Sequence, residues 1–473
     1  MTPPPEPTGR RAATAGQVVA ARFSARRLAS ALVRRDPAPT VDPLRSQSRA
    51  TIAGVLLAAL GLGAAAVVGA VHRPADWRTS AIVVGERTGA LAVVTRGDPP
   101  ALIGVPNLAS ARLAAAAVAG GPAPGDPVEI ADDVLAGAPR ARPVGIVDAP
   151  APPPPDLPGP AVWSVCDTTA PDPALGAARP RTTTTVIGAA RPPGRPPASR
   201  EALVVVDRAG QNWLVAGGTR ARLDVTRPAV VEALGLGGLL PRPASSGFLA
   251  ALPEAPPITP PTIARRGAPV PVELAGERAG GVVRVAGAGN ADTYLLVLTD
   301  GVQVVPELLA RLIRLDDPAL AGVPIPTVAP AQVANAPVSR AVDVSAFPDP
   351  APVPLPPDRA PSACADRTAA PGAPVTVSVA VDALPPGVAL RQADGSGDRV
   401  DRAVLPGTGA TVREEDGALV VVSATGTVHG VPDAATAEAL GLGRTFSPAP
   451  RAVIGLLPTG APLSVEAATR PLG

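Results

Sequence analysis

The chain has 473 residues, a length that allows two or three domains, and its formal net charge at pH 7 is +2. A net charge so close to zero creates no general attraction for DNA or RNA, so no nucleic-acid partner is expected. Aromatic residues make up only 2% of the chain, whereas glycine and proline number 48 and 64, so a folded core must be built from valine, leucine, alanine and isoleucine.

The first predicted element is a basic cytoplasmic segment, residues 1–49, with an amphipathic helix over residues 17–35. Apolar residues recur in this helix at helical spacing, namely Val18, Ala21, Ala25, Leu28 and Leu32. The predicted basic face of the segment consists of Arg22, Arg26, Arg27, Arg34 and Arg35. A basic amphipathic helix beside a membrane either lies on anionic lipid or binds a cytoplasmic partner, and the sequence leaves both roles open.

The next element is a transmembrane helix, assigned to residues 50–72. Ile52–Val71 contains no charged residue, and a helix of this length spans about 30 Å, the thickness of the hydrocarbon core of a bilayer. The excess of arginine before it places the N-terminus in the cytoplasm. A cleaved signal peptide is the alternative, but the charged lead is longer than such peptides carry. Small residues four positions apart offer a face for packing against another membrane helix: Gly61, Ala65 and Gly69.

The rest of the chain shows a tandem duplication, over about residues 82–265 and 270–473. The stretch "EALGLGGLLPRPASSGFLAALPEAPPI" (Glu232–Ile258) matches "EALGLGRTFSPAPRAVIGLLPTGAPLS" (Glu438–Ser464) at an offset of 206 residues. Cys166 and Cys364 are 198 residues apart, and each follows a proline run. Matches at nearly one offset predict two halves related by a pseudo-two-fold axis, with equivalent segments packed into one central sheet.

Each half is predicted to hold two small units of one type, in which a strand, a turn and a second short strand precede a helix. The units begin near Ala90, Ala202, Thr293 and Ala418, and Asp300–Gly301 is the clearest hairpin turn. The assigned boundaries are a juxtamembrane segment at 73–89, repeat domains at 90–145, 201–265, 266–345 and 417–473, and a central domain in two parts at 146–200 and 346–416. The expected fold class is α+β, with a single transmembrane helix plus a body on the extracytoplasmic side. In that body a pseudo-two-fold central β domain is flanked by four small α/β repeat domains.

The two cysteines, Cys166 and Cys364, are predicted to form a disulfide. Both follow the transmembrane helix and therefore face the oxidising side of the membrane, where disulfides persist. A pseudo-two-fold axis places equivalent residues near each other only when they lie close to the axis, which favours a bond at the centre of the body. Two free thiols are the alternative.

Several motifs resemble those of the EccB family, a membrane component of the type VII (ESX) secretion system. They are "ALVRRD" and "DPLRSQSRA" before the span, "VPNLASARL" (Val105–Leu113) and "VWSVCD" (Val162–Asp167). The resemblance implies a cytoplasmic helix, one span, and an elongated periplasmic body in which a central β domain is flanked by four repeat domains. It also implies partners, namely other Ecc membrane components and further copies of the chain. Many family aromatics are replaced here by alanine or valine.

No catalytic residue, cofactor or metal site is predicted. Members of the family are sometimes called ATPases, but the sequence contains no lysine, which a Walker A phosphate loop requires. The two histidines are His72, next to the span, and His429, expected in an exposed turn. Together with two cysteines they do not show the spacing of zinc ligands.

The remaining charged and aromatic residues of interest are interpreted as structural. Two carboxylate pairs are expected to be solvated loop or helix-start residues, Asp132–Asp133 and Glu414–Glu415. Trp77 is expected at the membrane edge, because tryptophan is enriched there. Trp163 and Trp213 are expected to be core residues.

The leading hypothesis is a structural core component of a type VII secretion membrane complex. It would combine an inner-membrane anchor, in contact with lipid, with a rigid periplasmic body that forms or braces the export channel. Two alternatives from other classes stay open: a cell-envelope module that binds peptidoglycan in the cell wall, and an enzyme, either an ATPase or a wall hydrolase.

Overall fold

The structure is a computed structural model that describes residues 14–34, 43–71, 76–121, 125–155, 157–172, 176–287, 292–320, 322–368, 370, 372–393 and 399–472. The chain forms two compact units. We name them the anchor unit, residues 1–75, and the large unit, residues 76–473.

The described residues form helices and short strands with the following bounds. The helices are α1 (Ala15–Arg34), α2 (Pro43–Val71), α3 (Leu108–Ala119), α4 (Asp132–Gly137), α5 (Pro228–Ala233), α6 (Ser246–Ala251), α7 (Glu307–Leu315), α8 (Pro330–Val333), α9 (Ala434–Ala439), α10 (Arg451–Ile454) and α11 (Val465–Ala468), with a 3-10 turn at Trp77–Thr79. The strands are β1 (Ile82–Gly85), β2 (Leu91–Val94), β3 (Leu102–Val105), β4 (Val128–Ile130), β5 (Arg140–Ala141), β6 (Val162–Asp172), β7 (Gly176–Ala189), β8 (Glu201–Val206), β9 (Asn212–Ala216), β10 (Thr219–Leu223), β11 (Arg242–Pro243), β12 (Glu254–Ile258), β13 (Val282–Val285), β14 (Thr293–Leu298), β15 (Gly301–Val305), β16 (Thr327–Val328), β17 (Val353–Pro354), β18 (Ser362–Thr368), β19 (Thr376–Ala380), β20 (Val388–Ala389), β21 (Arg402–Val404), β22 (Ala410–Glu414), β23 (Leu419–Val422), β24 (Val428–Val431) and β25 (Ser447–Ala449).

The anchor unit contains helices α1 and α2. Within α2, the segment Gln47–Val67 is long and apolar enough to cross a membrane, with a mean hydropathy of 2.2 and no residue buried against the rest of the chain. The helix begins at Pro43, seven residues before the predicted start of the span, and proline is favourable in the first turn because its missing N–H needs no partner there. The arginine-containing N-terminal end of α2 and its apolar part therefore form one uninterrupted helix.

The large unit contains four sheets that share one connectivity. We name them by order in the chain: the first sheet (β4-β1-β2-β3-β5), the second (β11-β8-β9-β10-β12), the third (β16-β13-β14-β15) and the fourth (β25-β22-β23-β24). In each, three consecutive strands pair antiparallel, a helix follows, and the next strand pairs parallel to the first of the three. After a second short helix, the chain pairs parallel to the last of the three.

Each of the four sheets has three antiparallel strands before its first helix, whereas the sequence predicts two. The first strand of the first sheet, β1, lies in the predicted juxtamembrane segment, and β22 of the fourth sheet lies in the predicted central domain. Both strands are short, so their sequence patterns are too weak to separate them from loops. The Asp300–Gly301 hairpin is confirmed: Gly301 has a φ of 149°, and a Cβ atom there would lie 2.1 Å from the carbonyl oxygen of Pro337.

The central sheet has the strand order β19-β18-β6-β7-β21-β20. It takes strands from both halves of the sequence, and β6 and β18 pair antiparallel at its centre. One of its faces packs on the second and fourth sheets in a single hydrophobic core, which includes Trp163, Val165, Val186, Phe248, Val412, Val453 and Ile454.

Two further cores join sheets from different halves of the sequence. The second and third sheets share a core in which α5 packs on α7. The first and fourth sheets share a core in which α3 packs on α9 and α11. The two halves of the sequence therefore pack against each other in both of these cores. The central sheet packs against the second and fourth sheets.

Candidate assembly site: the central sheet and its contacts

A disulfide joins the two halves of the chain in the middle of the central sheet. Cys166 on β6 lies directly opposite Cys364 on β18, with the Cα atoms 4.0 Å apart. Both cysteines are fully buried. A cross-link between residues 198 positions apart restricts the unfolded chain strongly, so this bond favours the folded arrangement of the two halves.

Polar pairs flank the disulfide symmetrically. On one side the hydroxyl of Ser164 donates to Oδ1 of Asp366 at 2.5 Å, and on the other the hydroxyls of Thr168 and Ser362 are 2.8 Å apart. With an offset of 198 residues, Ser164 corresponds to Ser362 and Thr168 corresponds to Asp366. The two polar pairs are therefore equivalent, and the strand register is symmetric about the cysteine pair. Burial raises the pKa of Asp366 to about 6, and the hydrogen bond from Ser164 opposes this shift.

A second buried polar group connects the central sheet to the second sheet through Asp167. Its Oδ2 accepts a hydrogen bond from the backbone N–H of Ser245 at 2.6 Å, and its Oδ1 accepts one from the hydroxyl of Thr184 at 2.9 Å. Burial raises the pKa of Asp167 to about 6, although these hydrogen bonds and the nearby charge of Arg242 act in the opposite direction. Ser245 also caps α6, because its Oγ accepts from the N–H of Phe248 at 3.0 Å.

Arg242 is a charged side chain in the interior, with 1% of its surface exposed. Its Nη2 donates to the carbonyl oxygen of Ala360 at 2.6 Å and its Nη1 donates to that of Pro361 at 3.1 Å. Burial lowers its pKa to about 10, so it stays cationic at neutral pH. Strand β11 of the second sheet is thus held to the segment that enters β18. We name Asp167, Thr184, Arg242 and Ser245 the polar clamp.

The equivalent contact with the fourth sheet lacks these groups. At the offset of 198 residues the counterpart of Asp167 is Ala365, which is buried in the apolar core. At the offset of 206 residues the counterpart of Arg242 is Pro448, and the counterpart of Ser245 is Arg451. The side chain of Arg451 is 65% exposed and forms an ion pair with Asp416.

Sequence reasoning missed the polar clamp. Its only sequence signal is a charged residue within an apolar stretch, as for Arg242 in "GGLLPRPASS". Such residues are common on surfaces, and the sequence alone does not distinguish a buried arginine from an exposed one.

The residues predicted for helix packing lie on α2. Gly61 and Ala65 are exposed, and a Cβ atom added at Gly61 would have no atom of this chain within 4 Å. Gly69 lies in the last turns of the helix. None of the described residues of this chain covers Gly61 or Ala65, so a partner helix could pack there.

The predicted basic face lies mostly on α1. Arg22, Arg26 and Arg27 are exposed on this helix, and Arg34 is its last residue. Arg35 lies outside the described residues, as does His72.

Two predicted surface residues are buried, which corrects the sequence interpretation. His429 is 1% exposed in strand β24, not in an exposed turn, and its Nδ1 lies 2.9 Å from the carbonyl oxygen of Ala461. Trp77 is 5% exposed and belongs to the core of the first sheet with Val83 and Leu102, so its ring is buried within the protein. In a chain with so few aromatics, the small core of the first sheet uses this large side chain to fill its volume.

Among the other residues predicted to be structural, Glu414 differs from the predicted solvated loop or helix-start position. It is half-buried as the last residue of strand β22 and burial raises its pKa, whereas Glu415 is exposed just after the strand.

Trp163 and Trp213 are core residues, with 0% and 6% of their surfaces exposed. Asp132 and Asp133 form the first turn of α4, and the hydroxyl of Thr88 lowers the pKa of Asp132. Within the described part of the chain, no group of three His, Cys, Asp or Glu residues is arranged to hold a metal ion.

Comparison with known proteins identifies relatives over nearly the full length. The chain is 34% identical to the ESX-3 secretion system ATPase EccB3 of Mycolicibacterium smegmatis, over 95% of this chain and 89% of that protein. It is 32% identical to the ESX-5 secretion system ATPase EccB5 of Mycobacterium tuberculosis, over 95% and 92%. It is 33% identical to the ESX-1 secretion system ATPase EccB1 of Mycolicibacterium smegmatis, over 97% and 95%.

Solved structures show the same fold. A chain of an intact ESX-5 inner membrane complex matches with a TM-score of 0.69 and 30% identity, over 98% of this chain and 97% of that one. The EccB3 dimer from the ESX-3 core complex matches with a TM-score of 0.68 and 29% identity, over 83% and 100%. A family model described as type VII secretion system ESX-1, transport TM domain B, covers residues 10–471. The chain therefore belongs to the EccB family of type VII secretion systems.

Proposed function

We propose that this chain is the single-span core component of a type VII secretion membrane complex. One observation carries the proposal, namely its similarity over almost the whole length to a chain of an ESX-5 inner membrane complex. The apolar segment Gln47–Val67 supplies an anchor in the inner membrane. The arginine excess before this segment supports a cytoplasmic N-terminus and a periplasmic large unit.

The large unit serves as a rigid brace for the export channel in this proposal. The four sheets are treated as four repeat domains around a pseudo-two-fold central domain, an assignment supported by their shared connectivity and by the symmetric register around Cys166 and Cys364. Rigidity is supported by three cores that each join both halves of the chain, and by the disulfide.

Its partners in this proposal are other Ecc membrane components, further copies of the chain and membrane lipid. The solved EccB3 dimer supports self-association. Gly61, Ala65 and Gly69 form the face that packs on a neighbouring membrane helix. The arginines of α1 contact anionic lipid or a cytoplasmic partner.

The test is purification of the tagged chain from membranes in mild detergent, followed by native sizing and identification of the co-purified proteins. We expect a large complex that contains other Ecc components. Gly61→Leu is expected to reduce the yield of this complex, because the larger side chain separates packed helices. Gly63→Leu, on another face of the same helix, is the matched control, since a Cβ atom at either glycine meets no atom of the chain itself. Recovery of the wild-type chain alone would contradict the proposal.

Nucleotide hydrolysis is the second candidate, because the names of the relatives include the word ATPase. The absence of lysine removes the usual phosphate-binding side chain of a Walker A loop from this sequence. Phosphate release by the purified chain with ATP and Mg²⁺ tests this candidate. Retention on purified cell wall in a sedimentation assay tests the peptidoglycan-binding alternative.

A further inference from the structure

A cleft of about 410 Å³ lies beside the first sheet, in the part of the large unit that follows the membrane helix most closely in the chain. Its walls come from three segments: the turn at residues 78–81, the end of β2 with the loop to β3 at residues 94–100, and the last turns of α3 at residues 115–119. This volume falls within the range of small-molecule sites in proteins, about 300–1,000 Å³. The cleft is therefore large enough for the polar headgroup of a lipid or for a small anion.

The charged side chains that line this cleft are basic. Arg78 comes from the first of the three segments and Arg96 from the second. No acidic residue is among the described residues that line the cleft. Two positive charges at one small cleft repel each other and attract an anion. The walls therefore favour a negatively charged ligand.

Neither guanidinium group is occupied by the fold. Arg96 is exposed and forms no hydrogen bond or ion pair with a described residue. Nη1 of Arg78 lies 3.7 Å from Oδ1 of Asp76, which is longer than a hydrogen bond, and an ion pair between two exposed side chains is weak. The guanidinium of Arg78 also stacks on the ring of Trp77, 4.8 Å from the centroid, and that ring is fixed in the core of the first sheet. Its donors are thus held in place and remain free to bind a ligand.

Hydroxyl and backbone donors add to the two arginines. The hydroxyl of Ser80 forms no hydrogen bond with a described residue. Oγ1 of Thr95 accepts from the N–H of Ala101 at 2.8 Å, so its own hydrogen is free to donate. The backbone N–H groups of Arg96 and Gly97 have no acceptor among the described residues. A phosphate group presents several oxygen atoms that accept such bonds, and the planar fork of an arginine binds two of them at once, so these donors match a phosphate group.

Another part of the wall is apolar and favours a lipid over a free phosphate ion. It consists of Val94, Ala115 and Val118. Inorganic phosphate has no group that gains from contact with these side chains. The glycerol and the first methylene groups of a phospholipid, in contrast, would cover them and remove apolar surface from water.

The chain itself limits the distance between this cleft and the membrane. Arg78 follows Val71, the last residue of α2, by seven positions. Seven residues of fully extended chain span at most about 25 Å. Lipid around the end of the membrane helix is therefore a nearby source of phosphate groups.

We propose that this cleft binds the phosphate group of an anionic phospholipid. Arg78 and Arg96 bind the phosphate oxygens, the hydroxyls of Ser80 and Thr95 donate further hydrogen bonds, and the apolar wall at Val118 contacts the glycerol. The proposal rests on the membrane anchor of the proposed function for its supply of lipid. It goes beyond that function, because binding of a short-chain lipid by the purified chain requires no assembled secretion complex.

The test measures the binding of three radiolabelled probes to the full chain in a neutral detergent by equilibrium dialysis. The probes are short-chain phosphatidylglycerol, short-chain phosphatidylcholine and inorganic phosphate, and detergent without protein corrects for uptake by micelles. We expect saturable binding of phosphatidylglycerol, about tenfold tighter than that of inorganic phosphate, because only the lipid also covers the apolar wall. Phosphatidylcholine should bind about tenfold more weakly than phosphatidylglycerol, because its own cation cancels the charge of its phosphate.

Variants locate the site on the protein. Arg78→Gln and Arg96→Gln are each expected to weaken the binding of phosphatidylglycerol about tenfold, since each removes charge-assisted hydrogen bonds. Arg96→Lys should recover part of the binding, because it restores the charge but not the planar fork. Arg142→Gln is the matched control and should leave binding unchanged. Arg142 is also exposed, follows β5 of the same sheet and does not line the cleft.

Unchanged thermal unfolding of the variants, expected for exposed side chains, shows that a loss of binding is not a loss of fold. An equal loss of binding for Arg142→Gln and Arg96→Gln would reveal a general attraction of arginines to anionic lipid and would overturn the site. Inorganic phosphate that binds as tightly as phosphatidylglycerol would overturn the assignment to a lipid. The absence of saturable phosphatidylglycerol binding would overturn the whole proposal. Failure of other Ecc components to co-purify would contradict the proposed function instead, and it would leave these binding constants unchanged.

Discussion

The second and fourth sheets contact the central sheet at equivalent places but with different chemistry. On the second-sheet side, Asp167, Arg242 and Ser245 form hydrogen bonds in the interior. On the fourth-sheet side, the equivalent positions hold Ala365, Pro448 and Arg451, and the contact is made by apolar side chains. The two sheets share one connectivity, but one contact is directional and changes with protonation, whereas the other depends on the area of apolar surface that it buries.

The largest effect is expected from Arg242→Met. The change leaves the carbonyls of Ala360 and Pro361 without donors and removes the positive charge near Asp167, so we expect the free energy of unfolding to fall by about 3–5 kcal/mol. Urea unfolding, followed by the intrinsic fluorescence of the three tryptophans, provides the measurement. Arg451→Met is the matched control and should cost less than about 1 kcal/mol, because its ion pair is exposed. If Arg242→Met and Arg451→Met lowered the free energy of unfolding equally, the proposed difference between the second-sheet and fourth-sheet contacts would be wrong.

On the apolar side, Ile454→Ala is expected to lower the free energy of unfolding by about 2–5 kcal/mol. Ile454 is 1% exposed in the core, so its truncation leaves a cavity. The same urea experiment measures the loss. Leu240→Ala is the control for a large apolar residue at the surface, since Leu240 is 71% exposed, and it should change stability little. A small loss for Ile454→Ala would show that the fourth sheet does not depend on this contact.

Protonation provides the third test, because the pKa of Asp167 is raised from 3.8 to about 6 in the folded protein. The folded state then binds this proton more tightly than the unfolded chain does. The free energy of unfolding should therefore rise as the pH falls from about 6 to 4, by about 3 kcal/mol from this residue. Asp167→Asn should remove this part of the slope, whereas Asp366, whose pKa is also raised to about 6, contributes in the same direction in both proteins. Identical pH profiles of the wild-type and Asp167→Asn proteins would refute the assignment.

The smallest effect is expected from Ser245→Ala, which removes the cap of α6. The N–H of Phe248 loses its acceptor in a buried place, so we expect a loss of about 1–2 kcal/mol. Ser464→Ala removes a hydrogen bond of the same type at the start of α11, where the site is less buried. This change should cost about 0.5–1 kcal/mol. Thermal unfolding monitored by circular dichroism compares the stabilities of the two variants. A larger loss of stability for Ser464→Ala than for Ser245→Ala would contradict the importance of the polar clamp.

Much of the architecture follows from local sequence features. The apolar run Ile52–Val71 predicts the membrane helix, because few other structures accept twenty residues without charge. The offsets between repeated motifs predict that Cys166 and Cys364 occupy equivalent positions, and the structure joins them. The first strands of three sheets, β1, β13 and β22, were missed, because short valine-rich segments have no periodicity that separates them from loops.

Residue types and spacing were thus enough to predict the membrane helix and the equivalent positions of the two cysteines, because both are local or periodic features of the chain. Which charged and polar residues are buried became clear from the three-dimensional fold. Arg242 has its partners at Ala360 and Pro361, more than a hundred residues away, and His429 is covered by the segment around Ala461. Burial depends on the neighbours that distant segments supply, and no local pattern specifies those neighbours.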